Sequence, residues 1–126
     1  MEEFTPQKIE NALWAMAMIN AVPEREVLAG FAVQATETMR HFEPPNLVNV
    51  FWSFAIFNIH PERSLAPGLQ GKPFIDALFA RTAVVMEKFE TQQLSLTCWS
   101  MTRLRLQASP GAIAAISKRA VQLAPY

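Results

Sequence analysis

The sequence predicts an all-α fold, a right-handed α-solenoid of three stacked helix-turn-helix repeats, on three observations. The segment FTPQKIENALWAMAMI at Phe4 returns as FEPPNLVNVFWSFAIF at Phe42 and as FETQQLSLTCWSMTRL at Phe89. Phe4 to Phe42 and Trp14 to Trp52 are each 38 residues apart, whereas Phe42 to Phe89 and Trp52 to Trp99 are each 47, so a single local insertion separates otherwise equal units. Each unit holds two apolar segments of helical spacing around a short turn. Units of roughly 20 to 50 residues are too small to bury their own apolar face and do so by stacking on their neighbours. The repeats are expected over residues 4–41, 42–88 and 89–126, as one continuous solenoid domain; 126 residues of 51% hydrophobic content are ample for a core.

The first helix of a unit begins on a capping signal. Thr5 is a suitable N-cap and Pro6 fits the first helical position, where the missing N–H costs nothing. Phe4 then precedes the cap and Ile9 takes the fourth helical position, a pairing that can staple the start of the helix. It recurs as Phe42 with Leu47 and Phe89 with Leu94. The body of this helix is apolar nearly all round: Leu13, Trp14, Met16 and Ile19; Phe51, Trp52, Phe54 and Phe57; Trp99, Met101 and Leu104. A surface helix would show a polar stripe. The expectation is therefore a helix wedged between its partner and the neighbouring repeats, with Trp14, Trp52 and Trp99 packed in the core rather than offered to a ligand. Asn20 and Asn58 follow at one register, where left-handed backbone can end a helix, and Arg105 replaces them in the third copy.

The second helix is announced by Pro23 with Glu24 and Glu26, by Lys72-Pro73, and by Ser109-Pro110. Val27, Leu28, Phe31, Ala35 and Met39 form one apolar face, matched by Phe74, Ile75, Leu78 and Met86 and by Ile113, Ile116 and Ala120. Gln34, Glu37 and Arg40 lie opposite, as do Asp76, Arg81 and Lys88, and Lys118, Arg119 and Gln122, so this helix is expected on the outside. The insertion SLAPGLQGKP, Ser64 to Pro73, reads as a loop because it carries two Gly and two Pro. The next opening Phe would fall at position 127, and the first copy lacks a polar capping face. A segment of a longer array, or a short protein whose ends a partner covers, is expected.

Several classes are disfavoured. No stretch approaches the roughly 18 to 20 apolar residues of a membrane span, and MEEFTPQ is no targeting leader. Cys98 has no cysteine to pair with and takes a register held by Leu13 and Phe51, which suits a small buried apolar residue. The sequence holds no Gly-rich phosphate loop, no metal-ligand spacing and no nucleophile with its base. His41 and His60 fall in connecting segments. A non-catalytic role without cofactor or metal is expected. Net charge is zero but uneven: residues 1–41 carry six acids against three Lys/Arg, and residues 91–126 carry four Lys/Arg and no acid. The basic end could attract a polyanion; a solvated helix face is the plain alternative.

These residues carry a family resemblance. A 38-residue helix-turn-helix unit with TPQ near its start and a Trp-Ala-X-Ala core resembles the octotricopeptide repeat and the related arrays of RAP-domain and FAST-kinase-like proteins. The likeness spans essentially the whole chain. The third copy departs from it, with Thr91 for Pro, Leu96 for the Asn of positions 11 and 49, Thr102 for Ala, and Arg103 within the apolar run. The resemblance implies a mitochondrial or chloroplast factor that binds single-stranded RNA, an organellar transcript or rRNA, in transcript processing, stability or translation. Helical-repeat readers assign about one base to each repeat through two or three side chains. The base-reading candidates are Lys8 and Asn11, Asn46 and Asn49, and Gln93 with Ser95, because amides present donor and acceptor together. Asn11 and Asn49 better suit a structural task, bonding neighbouring backbone and joining one repeat to the next. Arg103, Arg105, Lys118 and Arg119 are the phosphate candidates. A protein–protein interaction scaffold, or a structural subunit of an organellar assembly whose partners cover the solenoid ends, is the alternative reading.

Overall fold

The computed structural model describes residues 6–61 and 71–124, and among these it is all-helical, with no strand. Its α-helices are α1 (Pro6–Met18), α2 (Arg25–Thr38), α3 (Pro44–Phe57), α4 (Gly71–Val84), α5 (Thr91–Leu104) and α6 (Pro110–Leu123). None is long and apolar enough to cross a membrane. The odd-numbered helices pack in order, α1 on α3 and α3 on α5, and the even-numbered ones likewise, α2 on α4 and α4 on α6. Two rows of helices result, with the core between them.

The helix starts follow the capping chemistry. Glu43 is the N-cap of α3 and Glu90 that of α5, each in extended backbone. Asn46 Oδ1 accepts from the Glu43 N–H at 2.9 Å, and Gln93 Oε1 accepts from the Glu90 N–H at 3.0 Å, so the third helical residue satisfies an otherwise orphaned donor in both. Phe42 and Leu47, and Phe89 and Leu94, are buried at the two staple positions. The first copy's Thr5 cap and its staple of Phe4 with Ile9 lie outside the described residues. Ser109 caps α6 as expected, its Oγ accepting from Ala112 N at 3.3 Å with Pro110 at the first helical position.

The three predicted left-handed positions are the described non-glycine residues with positive φ: Asn20 at 55°, Asn58 at 56° and Arg105 at 56°. Each closes the same pair of bonds. Asn20, Asn58 and Arg105 donate to the carbonyl three residues back, each at 3.1 Å, and Ala21, Ile59 and Leu106 donate to the carbonyl five back, at 2.8, 3.1 and 2.9 Å. This is the Schellman arrangement, which satisfies the last carbonyls of α1, α3 and α5.

Some expectations needed correction. Glu24 is the N-cap of α2, so Pro23 stands before the cap instead of inside the helix. Residues 71–73 of the proposed loop form the first turn of α4, while 64–70 lie outside the described residues. The predicted second helices also end in unanticipated 3₁₀ turns, Met39–His41 and Met86–Lys88, which tuck the buried Met39 and Met86 under the next Phe. The larger correction concerns the first helices. Trp14 is 42% exposed and Trp99 is 46% exposed, so neither is a core residue, whereas Trp52 is partly buried and packs against the core. The core is built instead on Phe42, Phe51, Phe54, Phe74 and Phe89 with Leu28, Leu47 and Leu78. A helix with a second row behind it and open space in front needs only one buried face, whatever the composition of the other.

Candidate nucleic-acid interface

The outward side of the odd row carries the tryptophans. Hydrogen bonds join matching ends of α1, α3 and α5. In the second turn of α1, Glu10 meets Asn46 and Asn49 in the first turns of α3; in the last turn of α5, Arg103 Nε donates to Ala55 O of the last turn of α3 at 2.8 Å. Trp14, Trp52 and Trp99 hold one register on these three helices, with Trp14 and Trp99 exposed and Trp52, on the middle helix, partly buried against the core. One turn before them stand Asn11, Asn49 and Leu96, and one turn after them Met18, Ile56 and Arg103. The Arg103 guanidinium carbon lies 5.7 Å from the centroid of the Trp99 ring, a cation–π distance.

The surface therefore combines flat apolar rings, amides and a cation. Base rings stack on such aromatics with little regard to sequence, and a neighbouring guanidinium can meet the phosphate of the same nucleotide.

The structure distributes the predicted site residues among several tasks. Lys8, Asn11 and Ser95 are exposed on α1 and α5. Asn46 is buried and fully occupied, capping α3 through Oδ1 and donating to Glu10 Oε1 at 3.4 Å. Asn49 donates to Glu10 Oε2, and so joins one helix pair to the next, as its structural reading anticipated, though through a carboxylate in place of backbone. Gln93 is spent on the α5 start.

The four basic candidates do not converge on one patch. Arg103 flanks Trp99. Arg105, the αL residue after α5, lines a cleft with His60, Lys72, Asp76 and Gln107. Lys118 and Arg119 line a different one on the even row, beside Val84 and Glu87. Arg119 Nε donates to Phe89 O at 2.9 Å, and its Nη1 to Gln122 at 3.1 Å. Arg81 stands 38 residues earlier and makes the same bond, Nε to Phe42 O at 2.7 Å, while its Nη2 and Lys88 Nζ reach Glu43 at 3.3 and 3.2 Å. A recurring arginine that holds the carbonyl of the opening Phe is a structural element, so Arg119 already has a task within the fold.

Glu10 is the residue the sequence concealed. It is only 2% exposed and accepts from Asn46 and Asn49, with no cation among its hydrogen-bond partners within the described residues. Burial raises its pKa above the ordinary carboxylate value, and the bonds from Asn49 and then Asn46 oppose that rise. The folded state thus holds this proton more tightly than the unfolded chain. The resulting stability cost is absent below the unfolded pKa and fully present above the folded one. Compared with Glu10→Gln, the wild-type chain should lose stability as pH rises through the window above the ordinary Glu value. Urea midpoints of both proteins across that window check this; a constant difference would exclude it. Burial also raises the Cys98 pKa, keeping that half-buried thiol protonated.

Comparisons with protein-family models, with curated proteins and with solved structures returned no match.

Proposed function

We propose that the chain is a right-handed α-solenoid of three stacked helix pairs, over residues 4–41, 42–88 and 89–126, that binds single-stranded RNA without catalysis. The observation that carries this reading is the recurrence of a tryptophan at one register on α1, α3 and α5, exposed at Trp14 and Trp99 and partly buried at Trp52. Helices whose sequence would permit burial of every indole instead leave Trp14 and Trp99 exposed, with Asn11 and Arg103 one turn away. A row of this kind suits about one stacked base per helix pair. Stacking at roughly 1 to 3 kcal/mol per base gives three units a weak to moderate affinity, and the zero net charge adds little nonspecific attraction. The resemblance to octotricopeptide and RAP-associated arrays supports the same reading and extends it to an organellar transcript factor, in mitochondria or chloroplasts.

Fluorescence anisotropy with a short single-stranded RNA, repeated over a salt series, tests this. Binding is expected, with a log–log salt slope that falls by about 0.7 for each phosphate contact removed. Arg103→Gln and Arg105→Gln should each lower the slope, and Arg119→Gln should leave it unchanged. An absence of RNA-dependent anisotropy at every salt concentration would sink the proposal. Salt-insensitive capture of a protein ligand would favour the scaffold reading.

A further inference from the structure

The two edges of the helix stack are complementary to each other. On the α1–α2 edge, residues lie exposed whose register mates are buried against a preceding helix pair. Ile19 is 76% exposed, whereas Phe57 and Leu104 at the same register are 6% and 7% exposed. Val27 is 54% exposed, whereas Phe74 and Ala112 are fully buried. An apolar cavity of about 370 Å³, lined by Ala12, Met16 and Val27, opens on this edge.

The α5–α6 edge shows the reciprocal pattern. Ile113 is 53% exposed, whereas its mates Leu28 and Ile75 are 0% and 4% exposed against a following pair. Ser95 and Thr102 are exposed, whereas Glu10 and Val48, and Ala17 and Ala55, are buried at those registers.

The polar register matches as well. Within the chain, Glu10 of one pair meets Asn46 and Asn49 of the next. At the α5–α6 edge Ser95 occupies the Glu10 register, and at the α1–α2 edge Lys8 and Asn11 occupy those of Asn46 and Asn49. A hydroxyl facing the Asn11 amide is a satisfiable contact. The two end pairs also differ in net charge, with three more acids than bases over residues 1–41 and four more bases than acids over residues 91–126, although Arg103 and Arg119 themselves turn toward the preceding pair.

We propose that the α1–α2 edge of one copy docks head to tail on the α5–α6 edge of a second copy, continuing the interface that already joins consecutive helix pairs. Such a contact is heterologous and leaves each outer edge open for further copies.

Sedimentation velocity on the full chain over a concentration series tests it. The weight-average mass should rise above 14.2 kDa with concentration and less steeply at high salt. Ile19→Asp blocks one edge and Ile113→Asp the other; both side chains are exposed, and unchanged thermal midpoints verify folding. Each variant alone should remain monomeric, and their equimolar mixture should form a heterodimer that grows no further. A wild-type chain that stays monomeric up to its solubility limit overturns the proposal. So does a mixture that fails to associate, or a variant that self-associates as the wild type does, because symmetric pairing through one edge would give those results.

Discussion

Phe54→Ala is expected to destabilise the fold by about 3 to 5 kcal/mol, the range for truncating a fully buried phenylalanine. Phe54 is 1% exposed on α3, and its ring lies 6.1 Å from that of Phe31 on α2 and 5.8 Å from that of Phe74 on α4. Phe31 and Phe74 in turn meet edge to face at 5.9 Å. Aromatic pairs at such separations add about 0.5 to 1.5 kcal/mol beyond burial, and Phe54 takes part in two of them. Removal of this ring uncouples the odd row from the even row and leaves a cavity that the remaining rigid rings fill poorly. Since a domain is stable by only about 5 to 15 kcal/mol, the urea midpoint should fall by a large fraction of its value. A loss below about 1 kcal/mol would show that the three rings do not form the joint between the rows.

The second large effect is expected on binding, with stability nearly unchanged. Trp14→Leu with Trp99→Leu removes two flat π-surfaces while leucine preserves the apolar stem that rests on the protein. At about 1 to 3 kcal/mol per stacked base, the double variant should bind single-stranded RNA at least about 30-fold more weakly. Trp99 alone also loses its contact with Arg103, so Trp99→Leu should weaken binding more than Trp14→Leu. Anisotropy titrations read the affinity, and thermal melts confirm that folding is retained. An unchanged affinity would remove the tryptophan row as a stacking platform, even if RNA binds elsewhere.

The two variants separate positions that look alike in the sequence. Leu13 and Trp14 are neighbouring apolar residues on one helix, within the same nearly unbroken hydrophobic run, yet the first is buried in the core and the second is exposed. Composition cannot distinguish them, because a helix that is apolar on every side carries no periodic signal of which side is covered. A similar limit hid Glu10. A single acid in the first helix reads as a solvated residue, and only the arrival of Asn46 and Asn49 from α3 gives it buried donors. A pairwise signal was nevertheless available: Glu10, Asn46 and Asn49 sit at facing registers once the offset of 38 is applied. The Arg81 and Arg119 twins were legible in the same way, as equal residues at an equal offset.

Local chemistry was enough to set the helix starts at Glu43, Glu90 and Ser109 and the left-handed closures at Asn20, Asn58 and Arg105. Each depends on bonds or contacts within a few residues, so the amino-acid order alone determines them. Tertiary structure decided which face of α1, α3 and α5 meets the second row, and with it the exposure of the tryptophans, the burial of Glu10 and the edges left uncovered at Ile19 and Ile113. Those outcomes depend on neighbours brought in from other helices, and packing between elements selects among faces that one-dimensional hydrophobicity leaves equivalent.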